Sequence, residues 1–214
     1  GGFGDGQIFS FHATKAFSTM EGGALSSRDP GVIEKAEAIR NFGQKNGLAW
    51  GDAGINGKMM EVAAIIGRRQ LRKIDEMRAR RSHVADCYRT RLEGVPGLHL
   101  ASCRSGEAPI WLYFPIRVDA REFGLSRDDV FLALEADNIY CRKYFDPPCH
   151  LMPAYAAKRD EYNLPVSELW SSNVVALPVY NDQTDEEINY IVDRLRLLHD
   201  QAGRVKHVLA RSAA

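Results

Sequence analysis

Lys15 follows Ser10 by five residues and His12 by three in Phe9-Ser10-Phe11-His12-Ala13-Thr14-Lys15, and Glu21-Gly22-Gly23 comes shortly after. This order places an amine just beyond the end of a buried strand, on a short loop closed by glycines. An amine enclosed there loses hydration, which favours its neutral, nucleophilic form. Such an amine can attack an aldehyde carbon and form an imine. Ser10, on the strand, offers a hydroxyl suited to an anion. Most lysines are solvated surface groups, so the spacing alone leaves both readings open.

Other chemistry-bearing residues have plainer readings. His12 is expected to be a hydrogen-bonding residue at a strand end rather than a base. His150, in a proline-rich loop, could contact a substrate or simply pack. Cys149 has no cationic motif nearby to activate it and reads as inert. Arg68, Arg69, Arg72, Lys73, Arg78, Arg80 and Arg81 are spread around a helix with Asp75 and Glu76 interleaved, as on a solvated face. Met59-Met60 reads as core filling, and Gly22-Gly23 as a tight turn.

The elements that must position these residues follow from periodicity. Residues 8–12 form a strand with Ile8, Ser10 and His12 on one face and Phe9 and Phe11 on the other. Residues 13–19 are a loop and 24–26 a second strand. Asp29-Pro30 is an N-cap followed by proline at the first helical position, opening a helix buried along Val32, Ala36 and Ile39. Residues 41–57 lack periodicity and read as an irregular loop. One long helix is expected over 58–92, with Met59, Val62, Ala63, Ile66, Gln70, Ile74, Met77, Val84 and Tyr88 at helical spacing. Gly94 and Val95-Pro96-Gly97 end it. Beyond that turn strands and helices alternate: a strand over 111–118, a helix capped by Ser126 and Asp129, a strand over 173–180, and a last helix opened by Thr184 and Glu187. The fold class is α/β.

The 214 residues suffice for one domain or parts of two, and 28 basic residues balance 28 acidic ones. That neutrality gives no general attraction to nucleic acid or to an anionic membrane. No apolar run approaches the roughly 20 residues that span a bilayer. Four scattered cysteines form no disulfide framework and no zinc site, so no metal is expected and a reducing cytoplasm is the default.

Ser-Phe-His-Ala-Thr-Lys with Glu-Gly-Gly resembles the cofactor-lysine segment of the DegT/DnrJ/EryC1/StrS sugar aminotransferases, which use pyridoxal 5′-phosphate (PLP). Three further blocks follow in the family's order. They are Gly54-Ile55-Asn56-Gly57-Lys58-Met59-Met60-Glu61, then Arg142-Lys143-Tyr144-Phe145-Asp146-Pro147-Pro148-Cys149-His150, then Leu177-Pro178-Val179-Tyr180. The resemblance implies the PLP-dependent transferase fold type I, aspartate-aminotransferase-like. Residues 1–57 would end the large PLP-binding domain, 58–96 would be a long connecting helix, and 97–214 the small C-terminal α/β domain.

It also implies roles. Lys15 would hold PLP as a Schiff base and shuttle the proton between substrate carbon and cofactor. Ser10 would bind the phosphate, and Asn56 would reach it from the neighbouring subunit of a homodimer whose active site lies at the interface. Tyr144 and His150 would lie toward the substrate. The expected reaction moves an amino group, in the family usually from glutamate, to a nucleotide-linked keto sugar. The motif wording is closest to the branch acting on 4-keto-6-deoxy sugars, and amination at the 3-position stays open. The family's N-terminal half, with its pyridine-nitrogen partner, is not in this sequence. The chain is therefore expected to be a C-terminal portion and a poor catalyst alone. A family dehydratase, in which histidine replaces the lysine, is the alternative that Lys15 argues against. A non-catalytic or truncated regulatory member is the other.

Overall fold

The structure, a computed structural model, describes residues 4–212 except 50, 52, 105 and 108. Gly1–Phe3, which open the sequence, lie outside the described residues, as do Trp50 and Asp52 within the segment read as a loop. The chain divides into two units, Gly1–Met77 and Arg78–Ala214.

In the first unit β1 (Gly6–Ser10) pairs antiparallel with β2 (Gly23–Ser27), placing Ser10 opposite Gly23. Strand β1 starts and ends two residues earlier than expected, so Phe11 and His12 belong to the loop. The expectation of a buried strand is not met: Ile8 is 85% exposed and Phe9, on the other face, 41%. A two-stranded ribbon cannot cover its own faces.

Asp29 caps α1 (Pro30–Arg40) as expected, its Oδ1 accepting from the Gly31 N–H at 2.8 Å. The buried stripe is displaced, however. Val32 is exposed, Ala36 and Ile39 are half-buried, and Ala38 is fully buried. Only the C-terminal part of α1 is packed, because the chain returns alongside it: the Ile55 N–H donates to the Ile39 carbonyl and the Gly57 N–H to the Arg40 carbonyl, both at 2.8 Å.

Residues 41–57 are also more ordered than expected. They hold a tight hairpin, β3 (Gln44–Lys45) with β4 (Leu48–Ala49), turning at Asn46 (φ 53°) and Gly47 (φ 77°). Two successive positive φ values define the turn that Asn-Gly favours, so that dipeptide was the overlooked signal.

The single long helix is in fact two, α2 (Glu61–Leu71) and α3 (Ile74–Leu92). Residues 58–60 stay extended, and at the break the Lys73 N–H donates three residues back, to the Gln70 carbonyl, at 2.9 Å. The helical spacing of Ile66, Gln70, Ile74 and Met77 runs unbroken across the turn, so periodicity cannot see it. Met59 and Met60, read as core, are exposed at 40% and 73%.

The second unit is built on an antiparallel sheet ordered β5 (Leu98–Leu100), β6 (Tyr113–Val118), β7 (Val174–Pro178). Phe114, Ile116 and Val118 alternate inward from β6 and meet Val175 and Leu177 of β7. Over them lie Val84, Tyr88 and Leu92 of α3, then Val130 and Leu134 of α5 (Arg127–Ala136). Ile188, Ile191, Leu195 and Leu198 of α7 (Asp185–Asp200) complete the layer. The helices begin where their capping boxes predict: Ser126 with Asp129 opens α5, and Thr184 with Glu187 opens α7. Periodicity missed β5, the short α4 (Ala120–Phe123), α6 (Pro165–Asn173) and α8 (Ala202–Ser212). No helix among the described residues is long and apolar enough to cross a membrane.

Phe114 is fully buried against Tyr88 and Trp111, at ring-centroid distances of 5.6 and 5.5 Å. Phe114→Ala is expected to cost about 3–5 kcal/mol, read as a lowered denaturation midpoint with an unchanged denaturant slope.

Candidate functional site

The Lys15 loop is closed at its base by main-chain bonds. The Phe11 N–H donates to the Gly22 carbonyl and the Thr19 N–H to the Phe11 carbonyl, each at 2.9 Å. Inside, the Lys15 N–H donates to the His12 carbonyl at 2.9 Å, turning the chain so that Ala16 and Thr19 are buried. Phe11 and Phe17 meet edge to face at 4.8 Å beneath it. Gly22 is required at the closure. Its φ is 148°, and a side-chain carbon there would lie 2.8 Å from Thr19 Oγ1 and 3.2 Å from Met59 Cε. Helix α2 backs the loop through Gly67, where an added carbon would meet Thr19 Cγ2 at 2.9 Å.

On this base the Lys15 side chain is exposed, not enclosed as the sequence suggested. The loop folds Ala16 and Thr19 inward and leaves Lys15 exposed. Among the described residues it makes no hydrogen bond or ion pair. Ser10 is likewise exposed, and its Oγ accepts only a long 3.5 Å contact from the His12 N–H. His12 pairs through Nδ1 with Thr14 Oγ1 at 3.0 Å and through Nε2 with Glu21 at 3.4 Å. Those contacts brace the loop, in keeping with a structural histidine.

Asn56 lies elsewhere in the same unit. It pairs with Asn41 across the end of α1, and its Oδ1 accepts from Lys58 Nζ at 2.5 Å. Lys58 in turn sits 4.1 Å above the Phe42 ring. The glycine opening this block has a clear steric cause. A side-chain carbon on Gly54 would fall 1.9 Å from the Gly43 nitrogen and 2.3 Å from the Phe42 carbonyl carbon. Backbone meets backbone here, which lets the segment around Asn56 lie against the end of α1. Met59, from the end of that block, is what touches the Lys15 loop at Gly22.

In the second unit, Tyr144 and His150 flank one loop but differ in setting. Tyr144 is half-buried, stacked on exposed Phe145 at 4.6 Å and edge-on to Tyr113 at 5.0 Å. Burial, and then Tyr144, raise the Tyr113 pKa. His150 is buried and pairs with Glu168 Oε1 at 3.1 Å. Exposed Phe145, not singled out in the sequence, is the more accessible ring.

The Leu177-Pro178-Val179-Tyr180 block is an anchor. Tyr88 donates its hydroxyl proton to the Pro178 carbonyl at 3.1 Å, and burial raises its pKa. Arg81 donates to the carbonyls of Val179 at 2.9 Å and Trp111 at 2.8 Å, and to Asn181 Oδ1 at 2.8 Å. Arg81 thus departs from the solvated face read from the charge pattern: it is buried, and burial lowers its pKa. A guanidinium can be buried where carbonyls accept its protons. Among the described residues no group of histidine, cysteine and carboxylate side chains could hold a metal ion.

The sequence profile of the DegT/DnrJ/EryC1/StrS aminotransferase family matches residues 1–196, and the chain belongs to that family. The chain is 34% identical over 193 residues to a dTDP-4-amino-4,6-dideoxy-D-glucose transaminase of Shigella dysenteriae, covering 90% of this chain and 52% of that protein. It is 29% identical over 190 residues to a dTDP-3-amino-3,4,6-trideoxy-alpha-D-glucose transaminase of Streptomyces venezuelae, covering 88% and 48%. Among solved structures, DesI in the presence of its TDP-sugar product superposes with a TM-score of 0.87 at 32% identity, over 99% of this chain and 53% of that one. S. venezuelae DesV superposes with a TM-score of 0.82 at 28% identity, over 90% and 51%. The fold is therefore the α/β fold of the PLP-dependent transferases of fold type I. The chain spans about half the length of the curated relatives it matches, 52% and 47% for two of them.

Gly54→Ala should destabilise the first unit by about 3 kcal/mol, because backbone cannot give way as a side chain can; thermal unfolding reads this. In the second unit, burial pushes the Cys141 thiol up to about 12. Its contribution to stability is complete below the ordinary thiol value and is lost as pH rises toward that raised one. Cys141 should therefore resist iodoacetamide at mildly alkaline pH until denaturant is added, as peptide mass mapping would show.

Proposed function

We propose that this protein is a PLP-dependent aminotransferase that passes an amino group from glutamate to a nucleotide-linked 4-keto-6-deoxy sugar. The observation that carries the reading is the Lys15 amine, unpaired and accessible on a loop held by its own main chain, in a member of this family. The residues fit the cofactor's chemistry. An accessible primary amine suits an aldehyde, and the Ser10 hydroxyl, with no acceptor for its proton among the described residues, suits a phosphate. When bound, PLP supplies an electron-withdrawing ring that stabilises the charge left when a substrate carbon loses its proton.

The chain's own residues do the rest. Lys15 would carry the cofactor, and its Nζ would take the proton from the substrate carbon and deliver it to the cofactor carbon, and move it the opposite way in the second half-reaction. Ser10 donates to the phosphate. Asn56 would do so from the neighbouring subunit of a homodimer, whose pairing would also cover apolar side chains such as Ile8, Val62 and Ile65, exposed here at 85%, 57% and 67%. Tyr144 and His150 lie toward the sugar or nucleotide, the histidine held in place by Glu168. Residues 1–57 serve the cofactor domain and 97–214 form the small domain, with α2 and α3 as the connection. The enzyme works in the cytoplasm and makes a 4-amino sugar for a surface polysaccharide or a glycosylated metabolite. Support for a 4-amino product comes from the motif wording and from the S. dysenteriae relative; the S. venezuelae relative keeps the 3-position in view.

Incubation of the full-length protein with PLP, glutamate and a panel of nucleotide-linked keto sugars should yield the amino sugar by mass, with ping-pong kinetics. Lys15→Ala is expected to lose the absorbance of lysine-bound cofactor and at least about 10²–10⁴-fold in rate. Amino transfer retained by Lys15→Arg would overturn the assignment.

A further inference from the structure

Arg127 opens α5 and is only 6% exposed, yet its guanidinium faces two carboxylates drawn from outside the core. Nη2 donates to Asp146 Oδ2 at 2.6 Å and Nε to Asp128 Oδ1 at 2.7 Å. Nη1 donates to the carbonyl of Ser171 at 3.1 Å and lies 3.5 Å from that of Val174. Burying a charge at the edge of an otherwise apolar core costs more desolvation than an apolar residue of that size would. What this charge gains is the order of one surface loop.

The loop is 142–150, and three of the holds on it run through or beside Arg127. Asp146 is held directly. Ser171, whose carbonyl Arg127 engages, donates its hydroxyl proton to the Phe145 carbonyl at 2.6 Å. Asp128, on the other side of the guanidinium, accepts from Lys143 Nζ at 2.5 Å. Lys143 also lies 4.7 Å from the centre of the Phe131 ring. At one end Arg142 pairs with Ala176 of β7, and at the other His150 pairs with Glu168. Phe145 is left open by this lacing, 58% exposed and stacked flat on Tyr144, with ring planes 17° apart. A stacked, braced ring with its outer face free is a platform for another planar group.

We propose that Arg127 is the positioning residue of the substrate loop. It holds Asp146 and Ser171 so that the Tyr144–Phe145 pair is fixed as a stacking platform for the base of the nucleotide-linked sugar. Arg127 itself touches no substrate. This rests on the function proposed above, and it adds Phe145 as the contact and Arg127 as its support.

The test uses the holoenzyme carrying Arg127→Gln, Asp146→Asn, both together, or Phe145→Ala. Binding of dTDP-4-amino-4,6-dideoxy-D-glucose and of other nucleotide sugars is read by calorimetry, and the glutamate half-reaction separately by absorbance. Each variant should bind the nucleotide sugar about ten- to a hundredfold more weakly, with the glutamate half-reaction unchanged. The double variant should be no worse than Arg127→Gln alone, because the pair acts as one unit. Asp146→Asn keeps the buried cation and its other partners, so it serves if Arg127→Gln fails to fold. Unchanged nucleotide-sugar binding in Asp146→Asn and Phe145→Ala would overturn the proposal, and so would an equal loss in both half-reactions. An unsubstituted enzyme that binds no nucleotide sugar would instead overturn the proposed function.

Discussion

Main-chain closure is the constraint on which the Lys15 loop depends. Two hydrogen bonds from the Phe11 peptide, one to Gly22 and one from Thr19, pin both ends of the loop to a single residue. Neither bond depends on side-chain identity; what they need is room. Gly22 and Gly67 provide it by letting Thr19 approach from two directions where any side-chain carbon would collide. The motif's glycines therefore act by absence of volume, and the lysine's placement follows from them.

The same logic recurs at Gly54, where two backbones pass closer than any side chain would permit. That approach lays the segment around Asn56 against the end of α1, and three residues beyond Asn56 comes Met59, which lines the glycine closure of the Lys15 loop. Two motif blocks more than thirty residues apart thus meet within one unit. Many apolar residues of this unit remain exposed, from Ile8 on β1 to Ile65 and Leu71 on α2. The chain spans about half the length of the relatives it matches.

The second unit is organised differently, around a dense sheet-and-helix core with two arginines set into it. Arg81 ties the ends of β6 and β7 to α3 through carbonyls, and Arg127 ties a surface loop to the first turn of α5 through carboxylates. Both spend desolvation to fix segments that apolar packing alone would leave in several arrangements. One secures the Leu-Pro strand; the other leaves an aromatic pair facing outward.

Much of this was legible in the residues. Asp29-Pro30, Ser126 with Asp129 and Thr184 with Glu187 specified three helix starts, because a cap is a local bond between neighbours in the chain. The period of α7 named its buried face correctly, and four motif blocks identified the family. Tertiary structure alone decided the break between α2 and α3, the burial of Arg81, and the exposure of Val32, Met59 and Met60. Each of these depends on which surfaces meet, and hydrophobic spacing records only that a face is apolar, not whether anything covers it. Lys15 shows the division most plainly. Local sequence closes the loop that carries it, whereas its hydration is set by what packs above the loop, a fact of space that no spacing of residues encodes.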